Sequence, residues 1–384
     1  MTEIYLDNSA TTRPYPEVIR LACEIMDKTY GNPASLHEKG LAAEQIISKA
    51  RSQVAKLSGL PARDIIFTSG GTEANNLAIF GAARRNGNRG KHLVTTLVEH
   101  PSVLNCFKRL ADEGYQISYI ETDQQGRIDP ARAASQVRKD TTLVSVMHIN
   151  NEIGTIEPLE EIGRAIKQVN RTTLFHIDAV QSFGKLPIEA DNWQADLISF
   201  SAHKLHGPRG SGALWIRRGA LIEPLILGGG QEKGMRSGTE NTAAVAGFGL
   251  AAEISSSSMP VLAQQLQQLK MNFIKTLQAN GVEFVINGPS PDQAAPHILN
   301  LAFPGVKAEV MLHALEAEGI FVSAGSACHS KHPEPSHVLR AIGLEERLLN
   351  SSLRISFSGQ NSTEEVASAA GVFTRLAGDL KGFI

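Results

Sequence analysis

Ser199 to Gly210 reads SFSAHKLHGPRG, and His176 to Ser182 reads HIDAVQS. In the first stretch a lysine, Lys204, stands just past an apolar strand, preceded by Ser201 and His203 and followed by a Gly/Pro turn. In the second, an apolar strand ends in Asp178, with Gln181 three residues on. Near a strand end and beside His203, the Lys204 amine is set to be partly desolvated, which favours its neutral, nucleophilic form. Such an amine captures an aldehyde as an imine. A buried carboxylate is the natural partner of a protonated ring nitrogen. Together they are the two requirements of pyridoxal phosphate (PLP) chemistry.

Around these stretches, apolar strands alternate with amphipathic helices. DIIFT passes through Ser-Gly-Gly-Thr into EANNLAIFGAARR, HLVTTL into PSVLNCFKRLADEG, and TLVSVMHI through a turn into LEEIGRAIKQV; YQISYIE, TLFHID, DLISF and GALWIR read as further strands. Near-continuous apolar strands separated by helices predict an α/β fold with a mainly parallel sheet covered on both faces. Helical periodicity also marks Glu17 to Lys28 and Leu41 to Leu57. The character changes at the serines 255–258, beyond which a helix (Val261 to Ala279), the strand-like EFVI, HILNLAF, IFVSA and SLRISF, and two further helices predict a smaller α+β domain. The expected division is a large domain over 14–256 and a small one formed by 1–13 with 257–384.

Composition narrows the function classes. The 384 residues carry a net charge of −2, with 42% hydrophobic and 20% charged residues. That is a globular balance with no basic footprint for nucleic acid. No apolar run approaches the ~20 residues of a membrane span, and the start, MTEIYLDNSATT, shows no cationic-then-apolar leader, so a cytoplasmic location is expected. The three cysteines are widely separated, which fits neither a disulfide framework nor paired zinc spacing, so no metal is expected. Cys23 and Cys106 fall in helical patterns and are expected as small core residues. Cys328, in the small-residue run VSAGSACHS, is the candidate nucleophilic thiol, with His329, Lys331, His332 and His337 close behind.

Other motifs add polar groups. TSGGTEANN (68–76) joins a strand to a helix, and its glycines, Gly71 included, let backbone N–H groups and Thr72 approach a phosphate at the helix N-terminus. No lysine follows the glycines, so it is not a Walker motif and a plain nucleotide-binding protein is a poor match. His100 in VEHPSV stands between a strand end and a proline-started helix, where it can cap the helix or stack on a ring and move protons. GGGQEKGMRSGTEN (228–241) is too glycine-rich for a core element. It reads as a flexible loop or as a phosphate-facing loop at a subunit contact. Arg354, on SLRISF, is either a surface charge or a bidentate carboxylate clamp.

Taken together, YLDNSATT, YGNPAS, TSGGTEANN, VEHPSV, NNEIGT, HIDAVQS, SFSAHKLHGP, GGGQEKGMRSGT, GSACHS and SSLRIS occur in an order that resembles the PLP-dependent cysteine desulfurases of the NifS/IscS-like group, over essentially the whole chain. The resemblance implies PLP fold type I, the aspartate-aminotransferase-like fold, working as a homodimer. It implies that Lys204 holds PLP, Asp178 pairs with its ring nitrogen, His100 stacks on the ring and Gln181 contacts its oxygen. Gly71, Thr72, Ser201 and His203 would bind the phosphate, joined by Thr239 of a neighbouring subunit. Asn151 and Arg354 would hold the substrate carboxylate, and Cys328 would accept sulfur from L-cysteine for a sulfur-acceptor protein serving iron–sulfur assembly or tRNA thiolation. The chain departs from many relatives in His329 after the cysteine, in the charged KHPEPSH run, and in its short stretch after the last helix. Selenocysteine lyase, a related PLP β-lyase, and a catalytically silent sulfur-trafficking scaffold are the alternatives.

Overall fold

The computed structural model describes residues 3–324 and 336–381. β1 (Ile4–Tyr5), α1 (Pro16–Lys28) and α2 (Glu38–Ser58) come first. The alternating region comprises β2 (Ile65–Thr68), α3 (Gly71–Arg85), β3 (His92–Thr96), α4 (Pro101–Asp112), β4 (Gln116–Ile120), α5 (Pro130–Gln136), β5 (Thr141–Met147), α6 (Leu159–Val169), β6 (Leu174–Asp178), β7 (Leu197–Ser201) and β8 (Gly212–Ile216). α7 (Thr242–Ala279) leads into β9 (Val285–Ile286), β10 (Ile298–Ala302), α8 (Ala308–Ala317), β11 (Ile320–Phe321), β12 (Ser323–Ala324), α9 (His337–Ala341), α10 (Glu346–Leu349), β13 (Ser352–Ser356) and α11 (Thr363–Asp379).

The central sheet has seven strands in the order β2-β8-β7-β6-β5-β3-β4. β7, β6, β5, β3 and β4 pair in parallel, and β8 runs antiparallel to both its neighbours. The α/β class expected from the sequence is therefore the one observed. Side chains alternate across the sheet as a pleated strand requires. Phe175, Ile177, Ile198 and Phe200 face Val54 of α2 and Phe248 of α7, while Leu143, Leu197 and Leu214 face Leu77 of α3 and Phe107 of α4.

A second sheet, β12-β13-β10-β9, is antiparallel throughout. A separate core unites Ile4 and Leu6 from the start of the chain with Leu266, Phe273, Leu299, Ile355 and Phe373. β1 pairs in parallel with β11, which fastens the N-terminal segment to this second body. The run IFVSA, read as one strand, divides into β11 and β12, which serve different sheets.

The serines at 255–258 do not end a helix. α7 runs unbroken through them and through Pro260, so the helix expected from Val261 starts at Thr242 instead. Proline removes one backbone donor and ordinarily breaks a helix interior. Here the hydroxyls of Ser257 and Ser258 bond back to the carbonyls of Glu253, Ile254 and Ser255. α7 also packs into both cores, through Val245 and Phe248 in one and Leu266 and Phe273 in the other. Tertiary packing over the helix's length outweighs its local breakers. Among the described residues no helix is long and apolar enough to cross a membrane.

Candidate active site

In parallel α/β sheets the strands' C-terminal ends form a crevice where ligands bind. At that edge a cavity of about 510 Å³ is lined by Thr11, Gly71, Thr72, Asn75, His100, Asn151, Asp178, Gln181, Ser201, His203 and Lys204, among others. Residues spread over almost two hundred positions meet because each follows the end of a strand or opens a helix.

Lys204 closes a short 3-10 turn, Ala202–Lys204, that begins where β7 stops. Its Nζ donates to the carbonyls of Ser9 and, at 2.8 Å, of Ala10. Asp178 is the last residue of β6 and almost completely buried. Oδ1 accepts from the Val180 N–H at 3.0 Å and Oδ2 from Asn75 Nδ2 at 2.7 Å. Gln181 sends Nε2 to the Ser9 carbonyl at 3.0 Å, while its Oε1 is buried without a hydrogen-bond partner among the described residues.

His100 caps α4, its Nδ1 accepting from the Ser102 N–H at 3.1 Å. Because a backbone N–H can only donate, the proton of the neutral ring sits on Nε2. Burial lowers the His100 pKa; Asp178 opposes that shift and Lys204 reinforces it. Ser102 Oγ lies 2.8 Å from His100 Nδ1 and accepts from Asn75 Nδ2 at 2.9 Å, so Asn75 and Ser102 tie His100 to Asp178. Neither residue stands out from sequence. Their signal was the helical offset of Asn75 from Gly71 and the two-residue offset of Ser102 from His100.

Two segments supply small and polar groups to the cavity wall. Ser69, Gly70, Gly71 and Thr72 line the cavity at the start of α3, opposite Ser201, His203 and Arg209. A side chain at Gly71 would come within 2.7 Å of Val180, so close packing there needs glycine. Ser201 Oγ is fully buried with no partner among the described residues. His203 Nδ1 lies 3.2 Å from Thr11 Oγ1, and burial followed by the Lys204 and Lys185 charges lowers its pKa to about 3.

Arg354 lies on β13 beside the cavity rather than in its wall. Its guanidinium is paired with Asp7 at 2.7 Å and donates to the Asn151 carbonyl at 3.1 Å, leaving a buried Nε without a partner among the described residues. Thr239 is not part of the cavity. It borders a separate cleft with Tyr30, Gly31, Asn32 and Pro33. Cys328, His329, Lys331 and His332 lie outside the described residues. His337, at the start of α9, is described, and its Nε2 donates to the Glu99 carbonyl at 2.9 Å, one residue ahead of His100.

A pocket with a lysine amine, a buried carboxylate and a glycine-lined helix start defines the aminotransferase type of site. The aminotransferase class-V family matches residues 4–368, and the chain belongs to that family, in its NifS/IscS-like group. It is 42% identical to the putative cysteine desulfurase IscS 1 of Bacillus subtilis, covering 96% of this chain and 97% of that protein. It is 42% identical to the cysteine desulfurase IscS of Azotobacter vinelandii, over 98% of this chain and 93% of that one. A solved structure described as a NifS-like protein superposes with a TM-score of 0.92 at 36% identity, covering 99% of this chain and all of the other. Another, SspA in complex with cysteine, gives 0.81 at 34% identity over 94% of this chain and all of that one.

Proposed function

We propose that this enzyme takes sulfur from L-cysteine, releases L-alanine and holds the sulfur as a persulfide on Cys328, with PLP bound in the cavity at Lys204. The observation that carries the reading is the meeting of the Lys204 amine, the Asp178 carboxylate and two orphaned buried polar atoms, Ser201 Oγ and Gln181 Oε1, in one cavity. Buried polar atoms without partners cost free energy unless a ligand satisfies them. A phosphate held by Ser201, His203, Thr72 and the α3 start would give the Ser201 hydroxyl an acceptor, and a phenol hydroxyl at Gln181 would give its Oε1 a donor. Bound PLP supplies an electron sink that stabilises negative charge at the substrate's Cα.

The protein's own groups do the rest. Asp178 would hold a proton on the ring nitrogen, and the Asn75 and Val180 donors keep the carboxylate oriented. Lys204 Nζ would serve as the base that accepts the substrate's Cα proton. His100 Nε2 offers a proton on the neighbouring side. Asn151 and Arg354 orient the substrate carboxylate. The Cys328 thiolate forms an S–S bond to the substrate sulfur while the Cβ–S bond breaks. The freed electron pair stays with the three-carbon skeleton, which is protonated and leaves as alanine.

We also infer a homodimer, with the division into 14–256 and 1–13 plus 257–384. Thr239 sits away from its own chain's cavity, and exposed Met26, Tyr30, Leu36, Leu41 and Leu227 offer apolar surface for a second copy. The persulfide then passes to an acceptor protein. The test is alanine formation from L-cysteine by wild type and Cys328→Ser. The expected result is alanine from the wild type and a loss of at least about 100-fold in the variant. Alanine at the wild-type rate from Cys328→Ser would contradict the sulfur route.

A further inference from the structure

Lys185 is a buried lysine that does not line the cavity. It ends the turn that starts at Asp178 and carries Gln181. Gly184 takes a φ of +77° there, which is the left-handed region natural to glycine. The Lys185 Nζ donates to the Lys204 carbonyl at 2.9 Å and reaches the Gln181 carbonyl at 3.4 Å. Lys204 Nζ and Gln181 Nε2 meanwhile share the Ser9 carbonyl. The contacts close a ring: Lys185 to the Lys204 main chain, Lys204 through its side chain to Ser9, Ser9 to the Gln181 amide, and Gln181 back to Lys185.

Resting on the PLP reading above, we propose that Lys185 is a positioning residue, clamping the Lys204 backbone to the Gln181 turn and setting through its charge the proton affinity of the Lys204 nitrogen. A clamp alone needs no amine, since an amide or hydroxyl also donates to carbonyls. What an amine adds is a charge that comes and goes. The charged and titratable groups bearing on Lys185 are Lys204, His203 and His206 after β7, and His297 ahead of β10. All are bases. Burial, and then the Lys204 charge, brings the Lys185 amine down to about 7. Around neutral pH it therefore switches between a charge that disfavours a proton on the Lys204 nitrogen and a neutral donor that does not.

The experiment is a pH titration of the visible absorbance of PLP-loaded wild type, Lys185→Met and Lys185→Arg. Arginine keeps a charge at every accessible pH and methionine removes it at similar length. The colour change reporting proton loss at the Lys204 nitrogen should fall at lower pH in Lys185→Arg than in Lys185→Met, by about one pH unit or more. The wild type should follow the arginine variant below neutrality and the methionine variant above it. A purely mechanical clamp would move both variants alike, so coincident or reversed transitions overturn the proposal. Lys185→Gln replaces the methionine variant if that one does not fold. A wild type that stays colourless with PLP would instead refute the cofactor reading beneath it.

Discussion

Two buried sets of ionisable groups back the cavity, and they are opposite in kind. Behind Lys204 stand bases: Lys185, His203, His206 and His297, with Lys270 of α7 beyond. Around His100 and the segment after β5 stand carboxyl groups: Glu99, Glu152 and Glu157. Burial is the leading cause of the shift in every one of them. It lowers the bases and raises the acids, so both sets move toward neutrality. The cavity is thus backed by groups whose charged forms burial disfavours, bases on one side and acids on the other. Asp178 is the carboxylate that stands between them, held by two N–H donors.

Each set is satisfied differently. Lys270, with no exposed surface, donates to the Ala294 and Ala295 carbonyls at 3.3 and 3.1 Å. Glu99 Oε1 accepts from the Thr96 hydroxyl and the Met147 N–H, yet its Oε2 has no partner among the described residues. An acid with an unpaired oxygen is better off protonated. Glu152 instead accepts from Ser336 at 2.5 Å, which anchors α9 beside the His337 contact to Glu99.

The contrast is broken most severely at Asp178. Asp178→Asn keeps the shape but removes the buried carboxylate proposed to face the cofactor's ring nitrogen, and should cost at least about 100-fold in kcat for alanine formation. Steady-state kinetics at saturating PLP measures it, and near-wild-type turnover would remove Asp178 from its assigned role.

A smaller effect separates the two sets by pH. Glu157 is pushed up to about 8 in the folded protein, from an ordinary 4.5. Between those values the folded state binds the extra proton, so this contribution is full at acid pH and is lost as pH rises through the window. Glu157→Gln should therefore flatten a stability decline toward pH 8, worth roughly 1–3 kcal/mol in denaturant melts. Lys270 runs the other way, with a folded value of about 8 against an ordinary 10.5. There the unfolded state binds more protons, and stability rises with pH across that interval. Lys270→Met should remove that rise. Slopes of the same sign for both residues would undo the contrast.

How much of this was legible in the sequence follows from what each residue is attached to. Asp178 and Lys204 could be read because a polar residue closing an apolar strand is conspicuous, and the order β6 then β7 brings two such ends together. Asn75 and Ser102 sit in ordinary-looking helix starts, and their link to Asp178 exists once α3 and α4 pack side by side. The Ser9 and Ala10 carbonyls that hold Lys204 carry no side-chain signal at all. They reach the site because β1 fastens the N-terminal segment to the second core. The unbroken α7 was hidden by its serines and proline, whose local cost is outweighed by packing in both cores.

Reductive trapping is the most direct test of the central claim. PLP-loaded protein would be treated with borohydride, digested, and the pyridoxyl mass located by peptide sequencing. The account predicts the label on Lys204, and none in a Lys204→Ala variant. A label on Lys185, or on a lysine outside the cavity, would contradict it.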